Sequence, residues 1–340
     1  MCAARMFTFA FLMVLAMQSA GASEYIVTKS VPVKSSEEPL SNTSSETDLA
    51  KNCVGSRVMS IIAHADDDLY FINPSIDAAI QRGACVHTVI VTEGYVDDPN
   101  NRLRIEGLKK AYEMMMGSGH LHWQATEPVI LDKSIQRFAA QSSSAHSQHA
   151  QANVRVELSF LNLPAGSHDD LKDREPATLY QLFAEDSTSR TGGLSPPETY
   201  TEEELIKVLS ELIRQYDPDT LHTLNPFRLY PVRHSRVKGE GAHPDHVIVA
   251  KLTMMALIDR PRVRQVWTHD DYPIQDRLAN LSMEQALRKT EIMKAYCRVD
   301  PRGCADAELL SPECANRRDA RWGEAWLCRH YPQLIERQIR

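Results

Sequence analysis

Apolar residues recur along this chain with two different periods, and their alternation predicts strands followed by helices. Short apolar runs predict strands at 57–63, 85–91, 128–131, 154–160, 220–224 and 264–268. Apolar residues at helical spacing predict helices at 74–82, 102–116, 201–215, 245–258 and 283–296. Strands that alternate with helices imply parallel βαβ units. The predicted fold class is therefore α/β, a three-layer α/β/α sandwich with a mostly parallel, Rossmann-like sheet.

The chain begins with a pattern that is typical of an export signal. Arg5 precedes an apolar run at 6–17, and Ala20-Gly21-Ala22 fits a cleavage site of small residues. A membrane span needs roughly 20 apolar residues, and this run is shorter, so an uncleaved anchor is the lesser alternative. We expect cleavage near Ala22 and a secreted or periplasmic protein with no transmembrane span in the mature chain.

Composition and charge narrow the possibilities for the rest of the chain. It has 340 residues, of which 43% are hydrophobic, and a formal net charge of -7. Because there is no basic surplus to neutralise phosphates, nucleic-acid binding is not expected. Residues 23–52 are polar and predict a flexible leader after the signal peptide at 1–22. The main domain is expected at 53–296, with a cysteine-bearing C-terminal extension at 297–340 packed on it.

Six cysteines remain once Cys2 leaves with the signal peptide, and an even number in an exported protein indicates disulfides. Cys53 precedes the first strand and Cys85 opens the second, so a bridge between these neighbouring strands is plausible. The sequence does not choose among the three pairings of the last four, Cys297, Cys304, Cys314 and Cys328. A zinc site made by these four is the alternative, but their spacings of 7, 10 and 14 lack the close pairs of such sites.

Two clusters of chemically active side chains lie close to predicted strands. The first, His64-Ala65-Asp66-Asp67-Asp68, comes directly after the first strand, and the second, A-H-P-D-H at 242–246, begins a predicted helix. In an open parallel sheet, ligands bind beyond the carboxyl ends of the strands. Buried charges there need a compensating partner such as a divalent metal. We therefore predict that the clusters meet at one metal, although either one alone could equally cap a helix or solvate a turn.

Two histidines and a carboxylate with one open position form the ligand pattern of catalytic zinc. His64, Asp67 and His246 supply this set. A bound zinc lowers the pKa of its water toward about 7 and polarises a carbonyl oxygen. Asp66, the neighbour of one ligand, is then placed to accept a proton from that water.

The remaining side chains of the second cluster complete an amide-hydrolysing site. His243 is expected to face the far side of the site, where it stabilises an oxyanion or protonates a leaving amine. Asp245 is expected to hold His243 in one tautomer and to raise its pKa, as carboxylates do in hydrolase triads. Together these parts indicate hydrolysis of an amide by metal-activated water.

The same residues resemble the PIG-L/LmbE-like family of zinc-dependent deacetylases, in which a strand ends in A-H-P-D-D-E and a later H-P-D-H leads into a helix. This chain has A-H-A-D-D-D at 63–68 and A-H-P-D-H at 242–246. Two further stretches resemble the family's T-x-G and R-x-E…G motifs, namely Thr92-Glu93-Gly94 and the helix with Arg104, Glu106 and Gly117. The resemblance spans roughly 57–296.

By position, the resemblance implies a role for each of seven residues: zinc at His64, Asp67 and His246, Asp66 as general base, His243 as electrophilic or acid histidine supported by Asp245, and Arg104 as a substrate-binding residue. Two positions depart from the family pattern. Ala65 replaces the usual Pro, and Asp68 replaces the usual Glu. Neither departure touches a proposed ligand.

The resemblance implies an exported, zinc-dependent hydrolase that removes an acetyl group from an N-acetylated amino sugar, such as an N-acetylglucosamine-containing conjugate. Two alternatives stay open: a zinc amidohydrolase that acts on a non-carbohydrate small amide, and a catalytically silent carbohydrate-binding module. The motifs specify the reaction centre and not the substrate, so they do not separate the first two hypotheses. The retained ligands and base disfavour the silent module.

Overall fold

An eight-stranded mixed sheet forms the centre of the protein in the computed structural model. The structure describes residues 53, 55–94, 98–117, 121–141, 154–166, 177–185, 187–194, 196–228, 241–258, 263–301, 306–314 and 323–335. The predicted signal peptide and leader lie outside these residues. All described residues belong to one compact unit, Ser44–Arg340.

The described elements are short strands and longer helices in alternation. The strands are β1 (Arg57–Ile62), β2 (Cys85–Gly94), β3 (Gln124–Thr126), β4 (Val129–Ile130), β5 (Lys133–Ser134), β6 (Gln136–Gln141), β7 (Arg155–Pro164), β8 (Ser189–Arg190), β9 (Thr199–Tyr200), β10 (Thr220–Leu224), β11 (Gln265–His269) and β12 (Pro332–Ile335). The α-helices are α1 (Ser75–Gln81), α2 (Asn101–Met115), α3 (Leu179–Ala184), α4 (Glu202–Tyr216), α5 (Pro244–Ala256) and α6 (Met283–Cys297). A π-helical turn covers Asp68–Ile72, and 3-10 turns cover Tyr272–Asp276 and Glu324–Cys328.

The strand order places β1 in the middle of the sheet. The order is β12-β11-β10-β1-β2-β7-β6-β3. The five strands from β11 to β7 run parallel, whereas β12 at one edge and β6 and β3 at the other pair antiparallel. The carboxyl ends of β1, β10 and β11 therefore lie side by side.

Helices cover both faces of the sheet because its strands bury both sets of side chains. Along β1, Met59 and Ile61 join the core formed with α3, α4 and α5. Val58 and Ile62 join the opposite core, which contains α1, α2 and α6. The prediction of a three-layer α/β/α sandwich with a mostly parallel sheet is confirmed.

Most predicted elements agree with the structure to within a few residues, and the capping box at Thr201 is present, with Glu204 as its partner. The strand predicted at 128–131 is present as the two-residue β4, which lies outside the main sheet. Here β4 pairs only with β5, because Leu131 and Asp132 have positive φ angles and reverse the chain at once. The sheet edge is occupied instead by β3 and β6, which the sequence pattern did not reveal.

Disulfides join cysteines in the two places where the sequence allowed them. Cys53 is bonded to Cys85, which ties the segment that leads into β1 to the start of β2. Cys314 is bonded to Cys328, and Cys297 is also disulfide-bonded. These bonds exclude a zinc site made of the four C-terminal cysteines, of which Cys304 lies outside the described residues.

Among the described helices, none combines the length and the apolar composition needed to cross a membrane.

Candidate metal centre

The two predicted clusters meet at the carboxyl edge of the sheet. His64 and Asp67 lie in the turn after β1, and His246 lies in the first turn of α5. Nδ1 of His64 lies 3.0 Å from Nε2 of His246. Oδ1 of Asp67 lies 2.9 Å from the same Nε2 and 3.4 Å from Nδ1 of His64. Two nitrogens and one oxygen thus face one another.

These separations fit a bound metal ion. A four-coordinate zinc with ligands at about 2.0–2.2 Å holds neighbouring ligands roughly 3.3–3.5 Å apart, so the three atoms need only small movements to reach that spacing. A third imidazole, that of His243, is also close, since His64, His243 and His246 offer ligand atoms that all lie within 4.8 Å of one another. Two histidines and a carboxylate form one of the donor sets found in catalytic zinc sites.

Backbone groups hold Asp67 in the orientation that faces the histidines. Its Oδ2 accepts hydrogen bonds from the backbone N–H of Ala63 (3.1 Å) and of His64 (2.8 Å). The other carboxylate oxygen, Oδ1, is thereby directed at the two imidazoles. The end of β1 is fixed in turn by Thr92 of β2, whose backbone N–H and hydroxyl both donate to the carbonyl oxygen of Ala63.

Asp271 positions His246 from behind. Its Oδ2 lies 2.6 Å from Nδ1 of His246 and also accepts a hydrogen bond from the backbone N–H of His243 (3.2 Å). A carboxylate on the far nitrogen of a ligand histidine fixes the ring and its tautomer. Sequence reasoning missed Asp271. The signal was the pair Asp270-Asp271 directly after β11, another parallel strand that ends at this edge.

Asp245 contacts His64 more closely than it contacts His243. Its Oδ2 lies 3.3 Å from Nε2 of His64 and 3.9 Å from Nδ1 of His243. The same oxygen accepts the backbone N–H of Gly166 at 3.1 Å. Asp245 is fully buried, so its charge acts on the histidines without screening by bulk water. His64 and His246 are therefore each backed by a carboxylate.

The expectation that Asp245 raises the pKa of His243 is wrong. The backbone N–H of Asp245 donates to Nδ1 of His243, which makes that histidine the N-cap of α5. An accepting Nδ1 leaves the proton of the neutral ring on Nε2. Burial and the neighbouring His64 and His246 lower the pKa of His243 well below its ordinary value. A neutral His243 with a donor at Nε2 results.

The electrostatics of the ligand group favour positive charge. Burial lowers the pKa of His64, but the charge of Asp67 and hydrogen bonds to Asp245 and Asp67 raise it more, to about 9. At His246 burial also lowers the pKa, but Asp67 and Asp271 raise it more, to about 10. In return, the two histidines hold the pKa of Asp67 far below its usual range against the effect of burial. Positive charge at this point is strongly favoured.

Asp66 and Arg104 lie close enough for each to shift the pKa of the other. Burial and the charge of Asp67 raise the pKa of Asp66, while Arg104 and His64 oppose the rise. The Arg104 side chain is 20% exposed, and its Nε lies 4.0 Å from Oδ2 of Asp300. Asp300 in turn accepts a hydrogen bond from the hydroxyl of Tyr296. All seven residues singled out from the sequence are thus brought to one edge of the sheet.

Gly94 makes room for Arg104 at the end of β2. A Cβ at this position would lie 3.1 Å from the guanidinium carbon of Arg104 and 2.7 Å from Oδ1 of Asn101, and the backbone φ is +110°. Such a φ is rarely adopted by any residue other than glycine. The glycine of the T-x-G stretch is therefore required sterically, since a side chain at this position would collide with Arg104 and Asn101.

Comparison with known proteins agrees with this architecture. The strands, helices and clustered side chains of this protein define an α/β enzyme with a centre of histidines and carboxylates at the carboxyl edge of a parallel sheet. The sequence profile of PIG-L: GlcNAc-PI de-N-acetylase matches residues 59–257, which is more than half of the chain. The chain belongs to the PIG-L family. The prediction of a metal-dependent N-deacetylase is confirmed at this level.

Solved structures with a similar fold are remote in sequence. Teicoplanin deacetylase Orf2, in a zinc-inhibited form, is 13% identical with a TM-score of 0.39, over 71% of this chain and 84% of that chain. The N,N'-diacetylchitobiose deacetylase from Pyrococcus horikoshii is 13% identical with a TM-score of 0.39, over 73% and 72%. The 4-carboxy-2-hydroxymuconate hydratase GalB from Pseudomonas putida KT2440 is 12% identical with a TM-score of 0.35, over 73% and 86%. No curated protein sequence matches the chain.

Proposed function

We propose that the protein is an exported, zinc-dependent hydrolase that removes the acetyl group from an N-acetylated amino sugar within a larger conjugate. The observation that carries the proposal is the convergence of Nδ1 of His64, Oδ1 of Asp67 and Nε2 of His246 within 3.4 Å of one another. These three are the proposed ligands. Asp67 is preferred to His243 because its oxygen is in near contact with both ligand nitrogens.

The residues around the ligands supply the remaining steps of amide hydrolysis. A bound zinc polarises the acetyl carbonyl and lowers the pKa of a water molecule. Asp66 accepts a proton as that water attacks the carbonyl carbon, and its raised pKa brings it nearer the operating pH of a general base. The same proton then passes to the amide nitrogen as the C–N bond breaks, which releases the free amine and acetic acid; the acid ionises to acetate by giving its proton to solvent.

His243 is assigned to the oxyanion. Its lowered pKa and its accepting Nδ1 leave a neutral ring whose Nε2–H can donate to the oxygen on which negative charge develops. A donor aimed at developing charge in a site of low dielectric stabilises the transition state. Of the two roles considered from the sequence, the electrophilic one is therefore supported and the acid role is not.

Recognition of an amino sugar is the finer part of the proposal. Arg104 interacts electrostatically with Asp66 and is held near Asp300, which suits it to bind a polar group of the substrate near the scissile bond. The family description supports N-acetylglucosamine as the sugar. Export is supported by the apolar run and cleavage pattern at 6–22 and by the disulfides, which form in oxidising compartments.

A deacetylation screen tests this function directly. Purified protein is loaded with zinc and incubated with N-acetylglucosamine conjugates and with simple acetamides of similar size, with and without a chelator, and the free amine is measured. We expect amine release from the sugar conjugates that the chelator abolishes and added zinc restores. Hydrolysis of the simple acetamides alone would favour the non-carbohydrate alternative. No hydrolysis of any amide by zinc-loaded protein would favour a silent binding module.

A further inference from the structure

A tryptophan from the C-terminal part of the chain is packed directly behind the candidate metal centre. Trp326 lies in the 3-10 turn Glu324–Cys328 and is 2% exposed. The family match ends at residue 257, so this side chain comes from a part of the sequence to which the motifs assigned no chemistry. Its position is therefore a property of this chain and not of the matched region.

Trp326 holds Tyr272 in place through two different contacts. The two rings are stacked, with centroids 4.9 Å apart and planes 12° from parallel. The indole Nε1–H also donates a hydrogen bond to the backbone carbonyl of Tyr272 at 3.2 Å. Stacking fixes the ring, and the hydrogen bond fixes the backbone that carries it. Tyr272 directly follows Asp271, the carboxylate that bonds His246.

The same indole supports a second ring that touches the metal centre. Trp326 contacts Phe71 with ring centroids 5.3 Å apart. Phe71 and Tyr272 then each make an edge contact with the imidazole of His246, at 5.8 Å and 5.2 Å between centroids. His246 thus has two aromatic neighbours, which also contact each other with centroids 5.7 Å apart, and both neighbours rest on Trp326.

The segment that carries Trp326 is anchored strongly to the rest of the fold. Cys328, two residues on, is bonded to Cys314. The buried ammonium group of Lys289 on α6 donates to the carbonyl oxygen of Trp326 at 3.0 Å. Gly323 packs so closely on Tyr70 that a Cβ there would lie 2.4 Å from its hydroxyl oxygen. The tryptophan is therefore held in a fixed position against the site and is not part of a mobile lid.

We propose that Trp326 is a positioning residue for the metal centre: through Tyr272 and Phe71 it holds the ring of His246, and through the backbone of Tyr272 it holds Asp271, in the orientation that binds the metal. The proposal rests on the proposed function for the identity of the metal. It predicts that the C-terminal segment contributes to metal affinity although it supplies no ligand. Loss of groups that orient ligands typically costs about 10–100-fold in metal affinity.

The test compares two substitutions at Trp326 with a matched substitution in the other core. Trp326→Ala removes both contacts to Tyr272, whereas Trp326→Phe keeps a ring that can stack. Leu209→Ala removes a fully buried side chain from the core on the opposite face of the sheet, which destabilises the fold without touching the site. Zinc affinity of the folded proteins is measured by competition with a chromophoric chelator, alongside kcat and KM and the unfolding midpoint of the metal-free proteins.

We expect Trp326→Ala to weaken zinc binding by about 10–100-fold and to lower kcat more than it changes KM, with most of the affinity restored in Trp326→Phe. Leu209→Ala should lower the unfolding midpoint and leave zinc affinity unchanged. The proposal is overturned if folded Trp326→Ala binds zinc as tightly as the unaltered protein. It is also overturned if Leu209→Ala weakens zinc binding to the same extent, because the effect would then be one of general stability.

Two further measurements keep the test decisive. If Trp326→Ala does not fold, Trp326→Leu fills more of the space and undergoes the same assays. If the unaltered protein binds no zinc, the proposed function fails, and the imidazole NMR signals of His246 in the metal-free proteins decide this inference separately. Signals that shift or broaden in the Trp326 variant but not in Leu209→Ala support the positioning role, and signals that match those of the unaltered protein refute it.

Discussion

At the scale of single residues, Asp66 and Asp67 have the same side chain and different surroundings. Asp67 is 2% exposed, accepts two backbone hydrogen bonds through Oδ2 and faces both histidines with Oδ1. Asp66 is partly exposed, and its charged neighbours are Asp67, Arg104 and His64. Ligand and base can therefore be neighbours in sequence without competing for one position.

The two aspartates should respond differently to the same substitution. Asp67→Asn should weaken zinc binding as well as turnover, since a charged ligand is lost. Asp66→Asn should retain zinc and slow hydrolysis by about 10²–10⁴-fold, the usual effect of removing a general base. Metal content by elemental analysis and kcat for the same preparations check both. Loss of zinc in Asp66→Asn with retention in Asp67→Asn would mean that the two roles are exchanged.

Asp271 offers a second test at this scale. Asp271→Asn should keep the fold and lower zinc affinity by about 10–100-fold, because the partner that orients a ligand histidine is weakened. Asp270→Asn is the matched control, since Asp270 is equally buried but is paired with Arg228 and Arg277. Chelator competition measures both variants. Equal zinc affinities in the two variants would show that the 2.6 Å contact to His246 does not orient the ligand.

The site residues that the sequence predicted are those that stand at a recognisable strand end or helix start. His64 and Asp67 follow a strand directly, and His243 and His246 begin a helix, so strand and helix periods placed them. The partner of Asp245 was predicted incorrectly because the choice between two imidazoles, 3.3 Å and 3.9 Å away, depends on side-chain geometry and not on spacing. A carboxylate after a strand, such as Asp271, is a weak signal, because the same sequence also occurs in solvated turns.

At the scale of elements, the Cys53–Cys85 disulfide joins β1 and β2 at the edge opposite the metal centre. Cys85 is the first residue of β2, whereas the site lies beyond the carboxyl ends of the strands. The bond therefore restrains the unfolded chain without contacting any residue of the site.

Replacement of both cysteines should separate stability from function. The double variant Cys53→Ser, Cys85→Ser should lose about 2–4 kcal/mol of unfolding free energy, the usual contribution of a native disulfide. Zinc affinity and kcat should stay unchanged below the unfolding transition. Urea unfolding and chelator competition measure the two effects. A fall in zinc affinity without unfolding would show that strain at one edge of the sheet reaches the other.

Elements with their own start and stop signals were predictable, and elements defined by distant partners were not. Helix α4 begins at a capping box, and α2 is followed by Gly117 with a positive φ, so both could be located from local residues. Strands β3 and β12 have two and three exposed residues. They carry no burial pattern and exist because they pair with β6 and β11.

At the scale of the whole molecule, three histidines connect the parallel part of the sheet with its C-terminal edge. Nδ1 of His222 on β10 lies 2.9 Å from Nε2 of His269 at the end of β11. His269 contacts His330, two residues before β12, with ring centroids 5.2 Å apart. Burial lowers the pKa of His222 to about 4 and that of His330 to about 3, where nearby Lys289 and His222 act in the same direction. All three rings are therefore neutral at pH 7.

Protonation of this cluster should loosen the fold in mild acid. His222 binds a proton near pH 6.5 when unfolded but only near pH 4 when folded, so its contribution to stability is present above pH 6.5 and is lost as the pH falls toward 4. Between pH 7 and pH 5 this loss is about 2 kcal/mol. His222→Asn keeps a polar atom near His269 and cannot titrate. Urea unfolding of the metal-free proteins should show a correspondingly smaller fall in unfolding free energy for His222→Asn over this range. Because the substitution also lowers stability at pH 7, the change with pH is compared and not the absolute value. Parallel curves for the two proteins would show that buried His222 does not drive the acid response.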